Sequence, residues 1–275
     1  MTAETTVAAR CDRLVKMYPA PTGETQALRG VEAEFQHGTM SAVTGPSGSG
    51  KSSLLSILAL QERPSAGALE VLGREVTALS ARAMAALRRE GIAWVAQRSS
   101  DSLLPSLTVE EQLEQVARLR GREVDAGALP RLMLDHRRHA HVYELSGGEQ
   151  QRLAVLTATC SGASVIVADE PTAELDDESA AAVIAELRAS ARAGSCVVVS
   201  THDDRVTSAV DRTLALRHGV LSTEAHGTGR ALVPIDSAGR LQLPPDALAL
   251  FPELRAELVT EDGEVRLRPP GEATP

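Results

Sequence analysis

The stretch GPSGSGKS, residues 45–52, constrains the fold more than any other part of the chain. It fits G-x-x-x-x-G-K-[S/T]. It lies between an apolar run ending in glycine, TMSAVTG (39–45), and a periodic run, KSSLLSILAL (51–60). The first is expected to be a buried strand, and the second a helix with Leu54, Leu55, Ile57 and Leu58 inward. A strand, a glycine-rich turn and a helix in this order make a phosphate-binding loop. Gly45, Gly48 and Gly50 let the backbone curl so that N–H groups point inward, and the helix N-terminus behind them adds positive potential. Lys51 brings a point charge to the β- and γ-phosphates, and Ser52 offers a hydroxyl to Mg²⁺. Pro46, Ser47, Ser49 and Ser53 complete the expected contact surface. A flexible Gly/Ser linker is the plainer reading, and the flanking strand and helix argue against it.

The rest of the pattern agrees with such a loop. GALEVLG (67–73), GIAWVAQ (91–97), SVIVADE (164–170) and SCVVVST (195–201) are expected strands. Between them lie expected helices at 80–90, with Ser80 as N-cap, and at 177–193, with Val183, Ile184 and Leu187 on one face. From Thr108 to about Leu134 the pattern is helical and polar, with Pro105 and Pro130 as punctuation. Strands that are apolar on both faces and alternate with helices imply an α/β fold built on a parallel sheet. The length of 275 residues suits one large domain with a small appendage.

Charge and composition narrow the partners. The net charge is −9 and the pI about 5.3. Nucleic acid is thus an unlikely partner, because phosphate backbones select basic faces. Aromatic residues make up 2% of the chain, too few for base-stacking platforms. Cys11, Cys160 and Cys196 are far apart and match no metal spacing, which suits a reducing compartment. The first residues lack the apolar core of a signal peptide, and no apolar run approaches the roughly 20 residues of a membrane span. A soluble protein is expected, reaching a membrane only through a partner.

Two further stretches carry chemistry. VIVADEP (165–171) ends an apolar strand in two acids. Asp169 is expected to hold Mg²⁺ at the carboxyl end of the sheet, and Glu170 to act as general base toward the attacking water. Alone, this stretch could be an acidic strand-end turn; the phosphate loop shifts the reading to catalysis. LSGGEQQR (145–152) is a bare turn ahead of a helix. Together with the phosphate loop it resembles the signature motif of ABC transporter ATPases, and the likeness runs from about Cys11 to about Glu224.

That resemblance implies further roles. Tyr18 stands where family members stack an aromatic on adenine, although it could instead pack against the sheet. Gln97 matches the glutamine that senses Mg²⁺ and the γ-phosphate. AELD (173–176) matches the loop that crosses the dimer interface, and His202 matches the switch histidine. The implied architecture is a phosphate-loop NTPase core with an antiparallel β subdomain and a helical subdomain near residues 98–145. The implied cofactors are ATP and Mg²⁺. Two copies, identical or paired with a second ABC ATPase, would pack head to tail. Ser146, Gly147 and Gly148 of one copy would then cover the ATP of the other. TGETQALRGV and LLPSLTVEEQL resemble the subgroup of the MacB, LolD and FtsE ATPases. This implies an integral membrane permease as partner, FtsX- or MacB-like, and a position on the cytoplasmic face of the membrane. A soluble ABC ATPase with a regulatory, DNA- or ribosome-related role is the alternative. The chain departs from the family at Thr157, where an arginine is usual, and at LMLDHRRHAHVYE (132–144). The histidines of that segment lack carboxylate or cysteine partners at zinc-ligand spacing.

Residues 1–224 form the expected ATPase domain, 225–232 a linker, and 233–270 a small β-rich unit. LVPIDSAGRLQLP is expected as strand, turn and strand, DALALF as a short helix, and AELVTEDGEVRLRP as a hairpin with a D-G turn. The layout resembles the swapped-hairpin fold of AbrB-like proteins, with Gly239, Arg240 and Pro244 at the matching places. Dimerisation, a plain tail packed on the ATPase, and DNA binding remain open for it.

Overall fold

The computed structural model describes residues 6–21, 23–123, 125, 127–226, 232–237, 239–251, 254–261 and 264–270. The elements run β1 (Val7–Ala20), β2 (Gly23–Gln36), β3 (Met40–Thr44), α1 (Lys51–Leu58), β4 (Ala66–Val71), β5 (Arg74–Glu75), α2 (Ala81–Gly91), β6 (Ile92–Val95), α3 (Val109–Arg120) and α4 (Ala128–Arg131). They continue with α5 (Gly147–Cys160), β7 (Val165–Asp169), α6 (Asp177–Arg192), β8 (Cys196–Ser200), α7 (Asp204–Thr207), β9 (Arg212–Arg217), β10 (Val220–His226), α8 (Pro245–Leu248), β11 (Glu257–Glu261) and β12 (Glu264–Arg268).

The central sheet is ordered β10-β9-β3-β8-β7-β6. All neighbours are parallel except β10, which returns antiparallel on β9. Alternate residues of each strand point to opposite faces. Ala42, Ile166, Ala168, Val197 and Val199 enter one apolar core, which includes Leu113 of α3, Leu129 of α4 and Leu153 of α5. Val43, Val165, Val167, Cys196 and Val198 enter a second core, with Leu54, Leu55, Ile57 and Leu58 of α1. Every residue of β7 and β8 is buried. A strand that feeds two cores has to be apolar throughout, which is why these strands show no alternation in sequence.

The second core is closed on its far side by an antiparallel sheet ordered β2-β1-β4-β5. Its main part is the long β1–β2 hairpin, with Leu14, Leu28, Val31 and Phe35 turned inward. The sheet is the antiparallel β subdomain that the family resemblance implied.

The expected strands at 39–45, 67–73, 91–97, 164–170 and 195–201 are all present. The helices at 80–90 and 177–193 are present as α2, capped by Ser80 accepting from Ala83 N–H, and α6. Of the face expected on α6, Val183 and Leu187 are fully buried and Ile184 is half-buried. The helical pattern expected from Thr108 to about Leu134 resolves into two helices, α3 and α4. Gly121 adopts a left-handed conformation (φ 61°) and caps α3 through its N–H, and the chain re-enters helix only at Ala128.

The C-terminal unit differs more. β10 continues to His226, inside the stretch expected as linker; residues 227–231 of that stretch lie outside the described residues. The turn expected near Gly239 exists, with Gly239 N–H donating to Asp236 O at 2.8 Å and Asp236 N–H to Arg240 O at 2.9 Å. The strands expected on either side of it do not form among the described residues. Pro234, Pro244 and Pro245 remove ladder donors from that segment, and it makes only a single bridge, Leu232 with Glu224. It is tied to the ATPase part by Ser237, whose hydroxyl donates to Glu32 Oε1 at 2.6 Å. The helix α8 and the β11–β12 hairpin are present; the D-G turn at 262–263 lies outside the described residues.

Thr108 and Glu111 form a reciprocal capping box at the start of α3. Thr108→Ala is expected to cost about 1 kcal/mol of stability in urea unfolding. Burial pushes the thiols of Cys11 and Cys196 up to about 12, and that of Cys160 to about 11. All three are therefore protonated at pH 8. Iodoacetamide at that pH should leave the folded chain unmodified and label all three cysteines after denaturation.

Candidate functional site

The loops at the carboxyl end of the parallel sheet converge on one cavity of about 700 Å³. It is lined by Tyr18, by residues 45–53, and by Gln97, Asp169, Glu170 and His202. These come from five separate parts of the chain, and the register of the sheet brings them together. The order of β3, β8 and β7 places the phosphate loop beside the ends of the strands that carry His202 and Asp169.

The loop's shape follows from its glycines. Gly45, Gly48 and Gly50 have φ of 140°, 76° and 104°, values that side-chain-bearing residues rarely adopt. Gly45 and Gly50 also have no room for a side chain. A Cβ on Gly45 would lie 2.1 Å from Leu216 O, and one on Gly50 2.4 Å from Ala27 O. Gly48 opens to free space. Lys51 folds back over the loop, its Nζ donating to Gly45 O at 2.8 Å and to Pro46 O at 3.3 Å. The buried Ser49 hydroxyl has no hydrogen-bond partner. A loop that holds its own cation and leaves a buried hydroxyl unsatisfied is suited to an anionic ligand.

The acidic pair is set by strand β7. Asp169 is 4% exposed and accepts a hydrogen bond from the Ser200 hydroxyl at the end of β8. Glu170 leaves the strand with φ 52°, an uncommon conformation for a non-glycine residue. Its N–H is held by Ser200 Oγ at 3.0 Å and Ser200 O at 3.2 Å. Its carboxylate lies 3.0 Å from Nδ1 of His202. Ser200 thus fixes both acids. Nothing in the sequence marks it out, since one serine in an apolar run carries no local signal. A second clip joins the following loops: Thr172 donates to Asp203 Oδ2 at 2.8 Å, and Arg205 holds the same carboxylate. The Arg205 hydrogen bond, with help from Thr172, pulls Asp203 down to about 2.

Tyr18 lines the cavity near its rim. Its hydroxyl donates to Glu62 at 2.9 Å, and Lys16 Nζ stands 4.9 Å from its ring centroid. Partial burial, assisted by Glu62, raises its phenol above the ordinary value. Thr25, Gln26 and Ala27 of β2 also line the cavity. They fall in the GETQAL stretch, to which the sequence reading assigned no contact.

Ser146, Gly147 and Gly148 lie elsewhere and do not line this cavity. Ser146 caps α5, accepting from Glu149 N–H, while Glu149 Oε2 accepts from Ser146 N–H at 2.8 Å. Ser146 and Gly147 are exposed. Their backbone is therefore presented outward, ahead of a fourteen-residue helix. The histidines upstream are dispersed: His136 faces Glu149 at 3.5 Å, His139 faces Glu110 at 3.6 Å, and His141 stacks on Tyr143. No cluster of three or more metal-binding side chains occurs among the described residues.

The glycine geometry ranks three substitutions. Gly48→Ala should lower stability by about 1 kcal/mol, from backbone strain alone. Gly45→Ala and Gly50→Ala add a backbone clash and should each cost roughly 3 kcal/mol. Thermal unfolding of the three variants checks the order.

Comparison with known proteins agrees with this arrangement. The family described as ABC transporter matches residues 28–173. The macrolide export ATP-binding/permease protein MacB of Shigella flexneri is 37% identical over 210 residues, 74% of this chain and 32% of that protein. MacB of Rhodopseudomonas palustris is 37% identical over 239 residues, 84% of this chain and 36% of that protein. The chain thus spans about a third of the length of these relatives. The solved dimer of the ATP-binding cassette MJ0796, in a post-hydrolysis state with ADP and Pi, superposes with a TM-score of 0.74. It is 26% identical in sequence, and the match covers 81% of this chain and all of that one. A nucleotide-free ATP-binding cassette shares the fold with a TM-score of 0.67 at 23% identity. The chain belongs to the ABC transporter family, with the α/β fold of its ATP-binding cassettes.

Proposed function

We propose that this chain binds and hydrolyses ATP as the energy-coupling subunit of a transporter or mechanotransmission complex whose permease is a separate membrane protein. The observation that carries the reading is the single cavity that joins the phosphate loop to Asp169, Glu170 and His202. A cavity of about 700 Å³ with this lining suits a nucleoside triphosphate, its phosphates toward the nest of 45–52 and its base toward Tyr18.

The roles follow from the chemistry of each group. The loop N–H groups and Lys51 hold the phosphates and neutralise charge that builds up on the γ-phosphoryl group. Glu170 accepts the proton of the attacking water. His202 Nδ1–H, donated to the Glu170 carboxylate, orients that carboxylate, and His202 lines the same cavity as the phosphate loop, which suits contact with a γ-phosphate. Ser52, Gln97 and Asp169 offer a hydroxyl, an amide oxygen and a carboxylate among the residues lining the cavity. Oxygen donors alone fit Mg²⁺, which when bound offsets negative charge on the β- and γ-phosphate oxygens.

The second half of the reading is head-to-tail dimerisation. Ser146 and Gly147 are exposed, Gly148 is partly buried, and none of the three lines this chain's own cavity, so their N–H groups and the helix dipole of α5 serve the nucleotide of another copy. That partner is a second copy of this chain or a second ABC ATPase. The solved MJ0796 cassettes are dimers.

Attachment to a membrane is through the permease. Among the described residues no helix is long and apolar enough to cross a membrane. A groove of about 450 Å³ lies between α2, α3 and α5, and includes Trp94, Val116, Leu119 and Thr157. Leu119 is 60% exposed there. Thr157, where an arginine is usual in the family, donates its hydroxyl to Leu153 O at 2.7 Å and leaves the α5 side of the groove uncharged, while Arg88, Arg89, Asp101 and Arg120 line the rest. Such a groove suits a short amphipathic helix from the cytoplasmic side of a permease.

Glu170→Gln is the test. The variant should lose turnover by at least about a thousandfold while retaining ATP, and it should accumulate as an ATP-bound dimer. Hydrolysis at the wild-type rate would overturn the assignment of the base.

A further inference from the structure

The C-terminal hairpin carries a surface with no counterpart in the ATPase part. β11 and β12 form a two-stranded sheet with no third strand among the described residues. A hairpin of this size is marginal alone in water, and each outer edge presents unpaired N–H and C=O groups. Its pairing sets Leu258 opposite Leu267 and Thr260 opposite Val265, so these four share one face. Glu257, Val259, Glu264, Arg266 and Arg268 lie on the other face. The apolar face is open: Leu258 is 66% exposed, Val265 64% and Leu267 36%.

We propose that β12 of one chain pairs edge to edge with β12 of a second copy, and that this pairing holds two chains together in the absence of nucleotide. The charges along the strand select that occupant. Antiparallel pairing of β12 with itself about Arg266 sets Glu264 opposite Arg268 of the second copy, twice. It also sets Val265 opposite Leu267, twice. Opposite charges and apolar pairs directly across a ladder are stabilising, and like charges there are not. Pairing β11 with itself about Val259 would instead oppose the acidic positions 257 and 261. One like-charge contact remains in the β12 pairing, Arg266 with its copy. Each Arg266 already holds Glu264 of its own chain, through Nη2 at 2.6 Å and Nε at 3.1 Å, so its charge is largely neutralised.

The product is a four-stranded sheet ordered β11-β12-β12-β11. Two apolar rows cross it, each made of Leu258 and Leu267 of one chain and Val265 and Thr260 of the other. Three or more strands with an apolar face is the size at which a small sheet becomes stable. This contact involves neither the phosphate loop nor the signature turn. It stands whether or not ATP drives the ATPase parts together.

Light scattering on the full chain, in EDTA and without nucleotide, tests it. The wild-type chain should run as a dimer. Glu264→Arg and Arg268→Glu should each raise the dimer dissociation constant by about tenfold or more, because each turns two attractive contacts into repulsive ones. The double variant restores opposite charges in reversed order and should restore the dimer. A monomeric wild-type chain would overturn the proposal. So would a dimer indifferent to the single reversals, or a double variant as weak as either single one. In the Glu264→Arg background, where the hairpin contact is broken, failure of Glu170→Gln to dimerise on ATP would count against the proposed function alone, since the EDTA measurement contains no nucleotide.

Discussion

Burial of the parallel sheet on both faces is the constraint on which the remaining structure depends. It makes β7 and β8 apolar up to their last residues, Asp169 and Ser200, and β3 apolar but for Ser41 and Thr44, and so gathers the polar chemistry at the strand ends. Because these strands are parallel, all their carboxyl ends lie on one edge. The phosphate loop follows β3, the Asp169–Glu170 pair straddles the end of β7, and His202 lies two residues past β8. They meet because the sheet has no other place for them. Polar groups that do enter the sheet edge have to satisfy one another, and Ser200 does this for both acids at once.

That economy has a local cost. Glu170 is held in a left-handed conformation, worth roughly 1 kcal/mol of strain for a residue with a side chain. Two hydrogen bonds from its N–H to Ser200 Oγ and Ser200 O offset it. The outcome is a carboxylate that turns off the line of the strand toward His202 rather than continuing into the core. The Thr172–Asp203–Arg205 clip then ties the turn after Glu170 to the loop after His202, so the two loops move as one piece.

The parts of this structure that were legible in the sequence are those where one physical rule acts alone. The phosphate loop was legible because no other residue pattern gives that turn, and β3, β6, β7 and β8 because full burial demands unbroken apolar runs. The β1–β2 hairpin was not, although it is the longest β element. Its pairing slips at several points, between Cys11 and Leu14 and again between Lys16 and Met17, and Arg13 sits at φ 47°. Each slip moves side chains to the opposite face and erases the alternation that marks a strand. The end of α3 was missed because polar helical periodicity continues past Gly121, where the backbone turns left-handed. The strands expected at 233–244 failed because strand propensity without a partner ladder gives no strand. At the site, Tyr18, Gln97 and His202 were placed by family resemblance and not by any local property. Thr25 and Gln26 lie in the stretch that carries the subgroup resemblance, which assigns them no contact, and Ser200 carried no signal of either kind.

The two apolar cores share no side chain, because odd and even residues of each strand serve different ones. A sheet partitioned in this way is a firewall as well as a scaffold. The helices on one side, α3, α4 and α5, can loosen or shift on their own core without disturbing α1 and the loop anchored to it on the other. The molecule can therefore be soft where it meets a partner and stiff where it grips phosphate, with a single layer of backbone separating the two regimes.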